Sequence, residues 1–236
     1  MKHLFILITC ILFFLAASLH ADIFIQKIQG DVKVRKGLDE TWQKAGNKML
    51  LKNIDTILTG EDSEVILSLP EGITFTLGSQ SILDIGDLRE ITERELFLFL
   101  TSQKIRDIEN VPASKVHIEN VSVVRAQNKQ SSSGPSANNA SDLWRYEVNG
   151  ARAMHNQMFY PNAVMKMMYI LKKYTQVEDY GLVQLYLGQS FEAMNQSGRA
   201  LEAYQKAAEE ASQDSSGSDN GQKILNDANA GIERVK

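Results

Sequence analysis

The chain has 236 residues, a formal net charge of −4 and a single cysteine. That length suits two domains of ordinary size, and the mild acidity excludes a nucleic-acid reader, which needs a clustered basic face. With Cys10 alone, no disulfide can form within the chain, so each domain must fold on its apolar core.

Lys2 and His3 precede an apolar run from Leu4 to Ala17, and Leu19-His20-Ala21 closes the segment. A charged start, an apolar core and a small-residue ending read as a secretory signal peptide over residues 1–21, cleaved after Ala21. A retained anchor is the rival reading, although the run is shorter than the roughly 20 residues of an ordinary span. Thr9 before Cys10 argues against lipid attachment, which needs a smaller residue there. Cleavage removes Lys2 and Cys10, takes the charge to −5 and leaves no stable membrane span. An exported chain of this size without cysteine points to the periplasm, or another extracytoplasmic compartment, of a bacterium.

From residue 22 to about 127 the pattern has period two or short apolar runs. Asp31–Arg35, Val65–Leu69 and Ile73–Leu77 alternate, and turn signals at Gly30-Asp31, Gly60–Asp62, Pro70–Gly72, Gly78-Ser79 and Gly86-Asp87 separate them. Such spacing predicts an all-β sandwich or roll of short antiparallel strands. Val32, Val34, Val65, Leu67 and Leu69 are its expected core face, with Lys33, Arg35 and Ser68 toward water. Residues 128–141, NKQSSSGPSANNAS, hold no apolar cluster and read as a flexible linker.

From residue 142 to 236 the period becomes 3.6, which predicts an all-α domain of helical hairpins. Trp144, Val148, Ala151, His155 and Met158 share one face of a first helix, capped by Ser141 or Asp142. Pro161 opens a second, with Val164, Met167, Met168 and Leu171 as its buried stripe. Further helices are expected over about 179–194 and 198–211. A polar loop over 212–221 leads to a last helix marked by Ile224, Ala228 and Ile232.

The β half carries Gly30-Asp-Val-Lys-Val34, Trp42, Ala45-Gly46, Leu51-Lys-Asn-Ile-Asp-Thr-Ile-Leu-Thr-Gly60, Asp62-Ser63 and Glu71-Gly72. In these it resembles the FecR-type periplasmic domain, most densely over residues 28–86. The usual closing Val-Arg-Gly-Thr strand is altered to Val123-Val-Arg-Ala-Gln127. In the helical half, Leu187-Gly188, Phe191, Ala200, Tyr204 and Ala207 resemble one tetratricopeptide repeat over residues 181–214, with Gln184 and Ser212 departing from its pattern. The resemblance implies Leu182, Leu185, Tyr186, Gln189 and Glu192 as groove-lining positions that could hold a peptide. Against this stands cover by the helix beginning at Pro161.

Nothing points to catalysis. His117 and His155 are the only histidines after the signal, and no serine elbow, phosphate loop or His-Glu-x-x-His is present. Met154, Met158, Met165, Met167 and Met168 around His155 are better read as core fillers than as copper ligands. No metal and no cofactor is expected. The expected function is a non-enzymatic envelope adaptor or scaffold that binds a protein or peptide partner. The alternatives are cell-wall glycan binding or ligand sensing by the β half, with Trp42 as the best-placed aromatic, and a part in envelope signalling. Direct anti-sigma action is not expected, because only Met1, Lys2 and His3 precede the apolar run.

Overall fold

A computed structural model describes residues 22–108, 143–174, 181–213 and 219–236. The signal segment, His117, the strand at 123–127, the linker, and the Ser141 or Asp142 cap lie outside the described residues. Eight strands come first: β1 (Ile23–Gln29), β2 (Val32–Arg35), β3 (Trp42–Lys44), β4 (Leu50–Leu51), β5 (Thr56–Thr59), β6 (Glu64–Ser68), β7 (Thr74–Leu77) and β8 (Ile82–Asp84). They form two antiparallel sheets, β4-β1-β6-β7 and β3-β2-β5-β8. Alternation does what the pattern predicts, since Val32, Val34, Val65, Leu67 and Leu69 are all buried. Lys33, Arg35 and Ser68 are half-buried rather than fully in water, and the Arg35 guanidinium lies 5.3 Å over the Trp42 ring.

The residues behind the FecR-type resemblance lock turns. Gly30 has φ of +77°, and any Cβ there would collide with Ser63. Ser63 Oγ accepts from the Asp31 N–H at 2.8 Å and donates to the Glu61 carbonyl. Asp55, 1% exposed, accepts from Lys36 and from the Gly37 and Lys52 N–H groups. Burial pushes its carboxyl up, but these donors together hold it below the usual carboxylate range.

Six helices follow: α1 (Glu93–Ile108), α2 (Leu143–Asn156), α3 (Tyr160–Lys173), α4 (Leu182–Ala193), α5 (Ser197–Ser212) and α6 (Asp219–Val235). The first lies where the pattern reads as continued β structure. Thr92 caps it, accepting from the Glu95 N–H through its hydroxyl, with Glu93 and Glu95 in the first turn. In α2, Met154 takes the place expected for Met158 in the core. The helix stops at Asn156, so Met158 falls in a turn, 73% exposed. Ala163 and Ile170 complete the α3 stripe with Val164 and Met167, while Met168 and Leu171 are half-buried. Between α4, α5 and α6 the Tyr204 ring lies between Gly188 and Gly231, where no side chain would fit. Its hydroxyl donates to Glu192.

Sheets and helices share one apolar core. Gly150 on α2 packs directly on the Ile82 carbonyl of β8, and the Phe159 ring meets Phe75 edge-on at 5.5 Å. The side-chain amide of Gln157 accepts from the Thr76 N–H at 2.7 Å and donates to the Thr76 carbonyl at 2.8 Å. One glutamine thus stands in for a neighbouring strand on the β7 edge. Gln157→Ala should lower stability by about 1–2 kcal/mol, the loss of two directed bonds. It should also raise concentration-dependent aggregation by uncovering a pairing edge. Light scattering during mild heating reads the second effect; unchanged scattering would remove the protective role.

Candidate functional site

A cleft of about 300 Å³ opens along the seam between sheets and helices. Strand β8 ends at Asp84, and a 3-10 turn over Ile85–Leu88 carries Asp87 to the same side. From α3, Asn162, Lys166, Tyr169 and Lys173 face the cleft, spaced so that they fall on one side of the helix. Glu147 of α2 closes one end, and Phe99 and Met165 supply apolar wall.

The charges are tightly arranged. The Lys166 ammonium, 6% exposed, lies 2.9 Å from Asp84 Oδ2 and 2.8 Å from Asp87 Oδ2. Asp84 Oδ1 accepts from the Thr56 hydroxyl, which accepts from Arg35. Glu147 Oε1 accepts from Lys173 at 2.7 Å and from the Tyr174 hydroxyl at 3.0 Å. Asn162 donates to the Asp87 and Arg89 carbonyls at 2.6 and 2.8 Å. Arg89 pairs with Glu95 at the rim.

Burial sets these groups against one another. It pushes the Asp84 carboxyl up, but Lys166, Thr56 and Arg35 outweigh it and hold the group below its usual range. For Asp87 burial wins over Lys166, and the charges of Asp84 and Glu147 add to it, so that carboxyl stands above its usual range. Burial disfavours the Lys166 ammonium, yet the two carboxylates more than reverse this and keep it charged. Glu147 Oε2 is buried and has no hydrogen-bond partner among the described residues.

The groove positions expected from the repeat resemblance sit on α4. Leu185 is 4% exposed, while Leu182, Tyr186, Gln189 and Glu192 are half-buried. The Tyr186 ring meets His155 of α2 at 5.2 Å, and Glu192 accepts from Arg234 at 2.8 and 3.0 Å. Tyr186 and Glu192 therefore face other helices of the same chain.

His155 Nδ1 lies 2.8 Å from Ser190 Oγ, the spacing of a serine–histidine pair. Ser190 is 0% exposed, so no substrate reaches it. Burial pushes the His155 imidazole down, toward its neutral form. Met154 and Met167 are core residues at 0% exposure. Among the described residues no cluster of three histidine, cysteine or acidic side chains could hold a metal ion, and no helix is long and apolar enough to cross a membrane.

The cleft is absent from the sequence reading because its charges come from separate segments: Asp84 and Asp87 from the end of β8 and the turn after it, Glu147 from α2, and Lys166 and Lys173 from α3. One signal was available. Helix α3 carries Lys166, Lys172 and Lys173 with no acidic residue, so its lysines must find countercharges elsewhere. Comparison with known proteins finds no match for this chain among family models, curated proteins or solved structures.

Proposed function

We propose that the chain is an exported, non-enzymatic adaptor of the bacterial envelope, in which the β half and the helical half act as one binding body. The observation that carries this is the seam itself. A shared core, the Gly150 contact and the buried Lys166 ion pairs hold two partner-facing surfaces in a set relation. Independent tethered modules would not need a buried ionic seam. Both resemblances are to families of binding modules, which agrees with an adaptor.

The test is photo-crosslinking in the intact envelope, with reactive groups placed at Gln189 on the helices and at Leu38, 99% exposed, on the sheets. The full chain is used, because the helical half alone would expose the face that packs on the sheets. A mature N-terminus at Asp22 by mass spectrometry is expected, with one defined partner protein captured at each position. A cytoplasmic chain retaining Met1, or no captured protein at either position, overturns the adaptor.

A further inference from the structure

We propose that the open edge of β3 takes up an extended, acidic segment of a partner polypeptide as an added strand, its carboxylates against Lys44. The inference deepens the adaptor reading and rests on it for the existence of a partner; the open edge stands without it.

Two four-stranded sheets have four edges, and three of them are closed. On β7, Gln157 accepts from the Thr76 N–H and donates to the Thr76 carbonyl. On β8, Gly150 packs on the Ile82 carbonyl, and Asn149 donates to the Gln80 carbonyl just before the strand. On β4, the Lys36 ammonium donates to the Leu50 carbonyl at 2.7 Å. The outer edge of β3 has no such cover among the described residues. Its orientation follows from the ladder. The Ala45 N–H donates to the Val32 carbonyl at 2.9 Å, so Ala45 and Gln43 turn their backbone groups toward β2. Those of Trp42 and Lys44 then point away from the sheet, along a stretch where Thr41, Gln43 and Lys44 are exposed. Two N–H and two C=O groups in register are the template that strand addition uses.

Charge decides which strand is admitted. Lys44 stands directly opposite Lys33, and Arg35, opposite Trp42, is a third cation diagonal to it on the same face. Lys33 pairs with Asp31 at 3.5 Å. Arg35 bonds the Thr56 hydroxyl and is drawn to Asp84. Asp39 and Glu40 belong to the loop before the strand and make no ion pair with Lys44, which has none among the described residues. Like charges directly opposite are unfavourable, and a carboxylate on an added strand would lie about 5 Å from Lys44 and offset that cost. A second copy of this chain is the wrong occupant. Antiparallel pairing would bring its own Lys33, Arg35 and Lys44 to the same face. A lysine on a short edge guards against self-pairing; here it also selects an acidic strand.

The test titrates the full mature chain with two capped heptapeptides, one alternating valine with glutamate, the other valine with lysine. Amide exchange is followed residue by residue by nuclear magnetic resonance. In the free chain the Trp42 and Lys44 amides should exchange fast, while Gln43 and Ala45 are protected. The glutamate peptide should protect Trp42 and Lys44 and bind at least tenfold more tightly than the lysine peptide at low salt. Lys44→Glu should reverse that preference. Lys44→Pro should abolish binding of both peptides with Tm unchanged, because only an outward N–H is lost. Lys44→Glu faces Lys33 favourably, so it keeps the test decisive where Lys44→Pro does not fold. Slow exchange of both amides in the free chain overturns the proposal. If independent of concentration it shows cover by another part of this chain; if confined to high concentration it shows pairing of two copies. Equal binding of the two peptides, no reversal in Lys44→Glu, binding that survives Lys44→Pro, or binding without protection of Trp42 and Lys44 overturns it as well. Peptide binding with no partner crosslinked in the envelope would keep the edge and remove the adaptor; a crosslinked partner with no peptide binding would do the reverse.

Discussion

Replacing Gly150 by alanine should lower the stability of the chain by about 3 kcal/mol, equivalent to a fall in Tm of roughly 6–12 °C for a protein of this size. The sign is the informative part. Judged from the helix alone, Gly→Ala in a helix interior should stabilise by about 0.5–1 kcal/mol. In the folded chain a Cβ at Gly150 would fall well inside 3.0 Å of the Ile82 carbonyl oxygen, and that oxygen is backbone that cannot rotate away. Helix α2 would have to lift from β8. Lifting would loosen Val148, Ala151 and Met154 in the shared core and stretch the Asn149 bond to the Gln80 carbonyl, now 2.8 Å. Thermal denaturation followed by near-ultraviolet circular dichroism measures the effect. A Tm that stays the same or rises would mean that the helices do not sit this closely on the sheet.

Lys166→Met should cost about 2 kcal/mol at pH 7. Breaking a fully buried ion pair costs about 3–5 kcal/mol. Here the Asp84 and Asp87 side chains are 46% and 36% exposed, so water takes up part of the loss. The deficit should depend on pH in a set direction. In the native chain Asp84 is held low, so it adds stability above the ordinary carboxylate range, and that stability is lost as pH falls through its lowered value. Asp87 is held high and acts oppositely, its contribution falling as pH rises toward its raised value. Besides Lys166 from α3, Asp87 faces Asp84 of β8 and Glu147 of α2, and Arg89 lies near it in the chain.

Without the ammonium both carboxyls move up, and both then penalise folding at neutral pH. Acidification from pH 7 to pH 5 should therefore narrow the gap between Lys166→Met and the native chain. Urea unfolding of the two proteins at both values checks this. An equal deficit at pH 5 and pH 7 would show that Lys166 contributes by packing its stem, not by its charge.

Much of the architecture could be read from local pattern. The alternation of Val32, Val34, Val65, Leu67 and Leu69 located a buried sheet face, and Pro161 sits in the first turn of α3 as expected. The helices after residue 142 follow a period of 3.6, which their own side chains display. Helix α1 escaped because Leu96-Phe-Leu-Phe-Leu100 is a short apolar run that suits a strand or a buried helix equally well. The capping pair Thr92 and Glu95 was the deciding clue.

The candidate site was not legible in this way. Leu182, Leu185, Tyr186, Gln189 and Glu192 could be placed on one repeat helix, but which of their faces stayed open depended on α2 and α6 packing beside them. Lys166 is buried only because Asp84 and Asp87, about eighty positions earlier, pair with it. Gln157 and Thr76 pair across a similar gap. By itself the sequence determined where apolar faces recur, because periodicity is a property of neighbouring residues. Only the tertiary structure decided which polar groups are buried, because a polar side chain leaves water only where a distant partner replaces the bonds it loses.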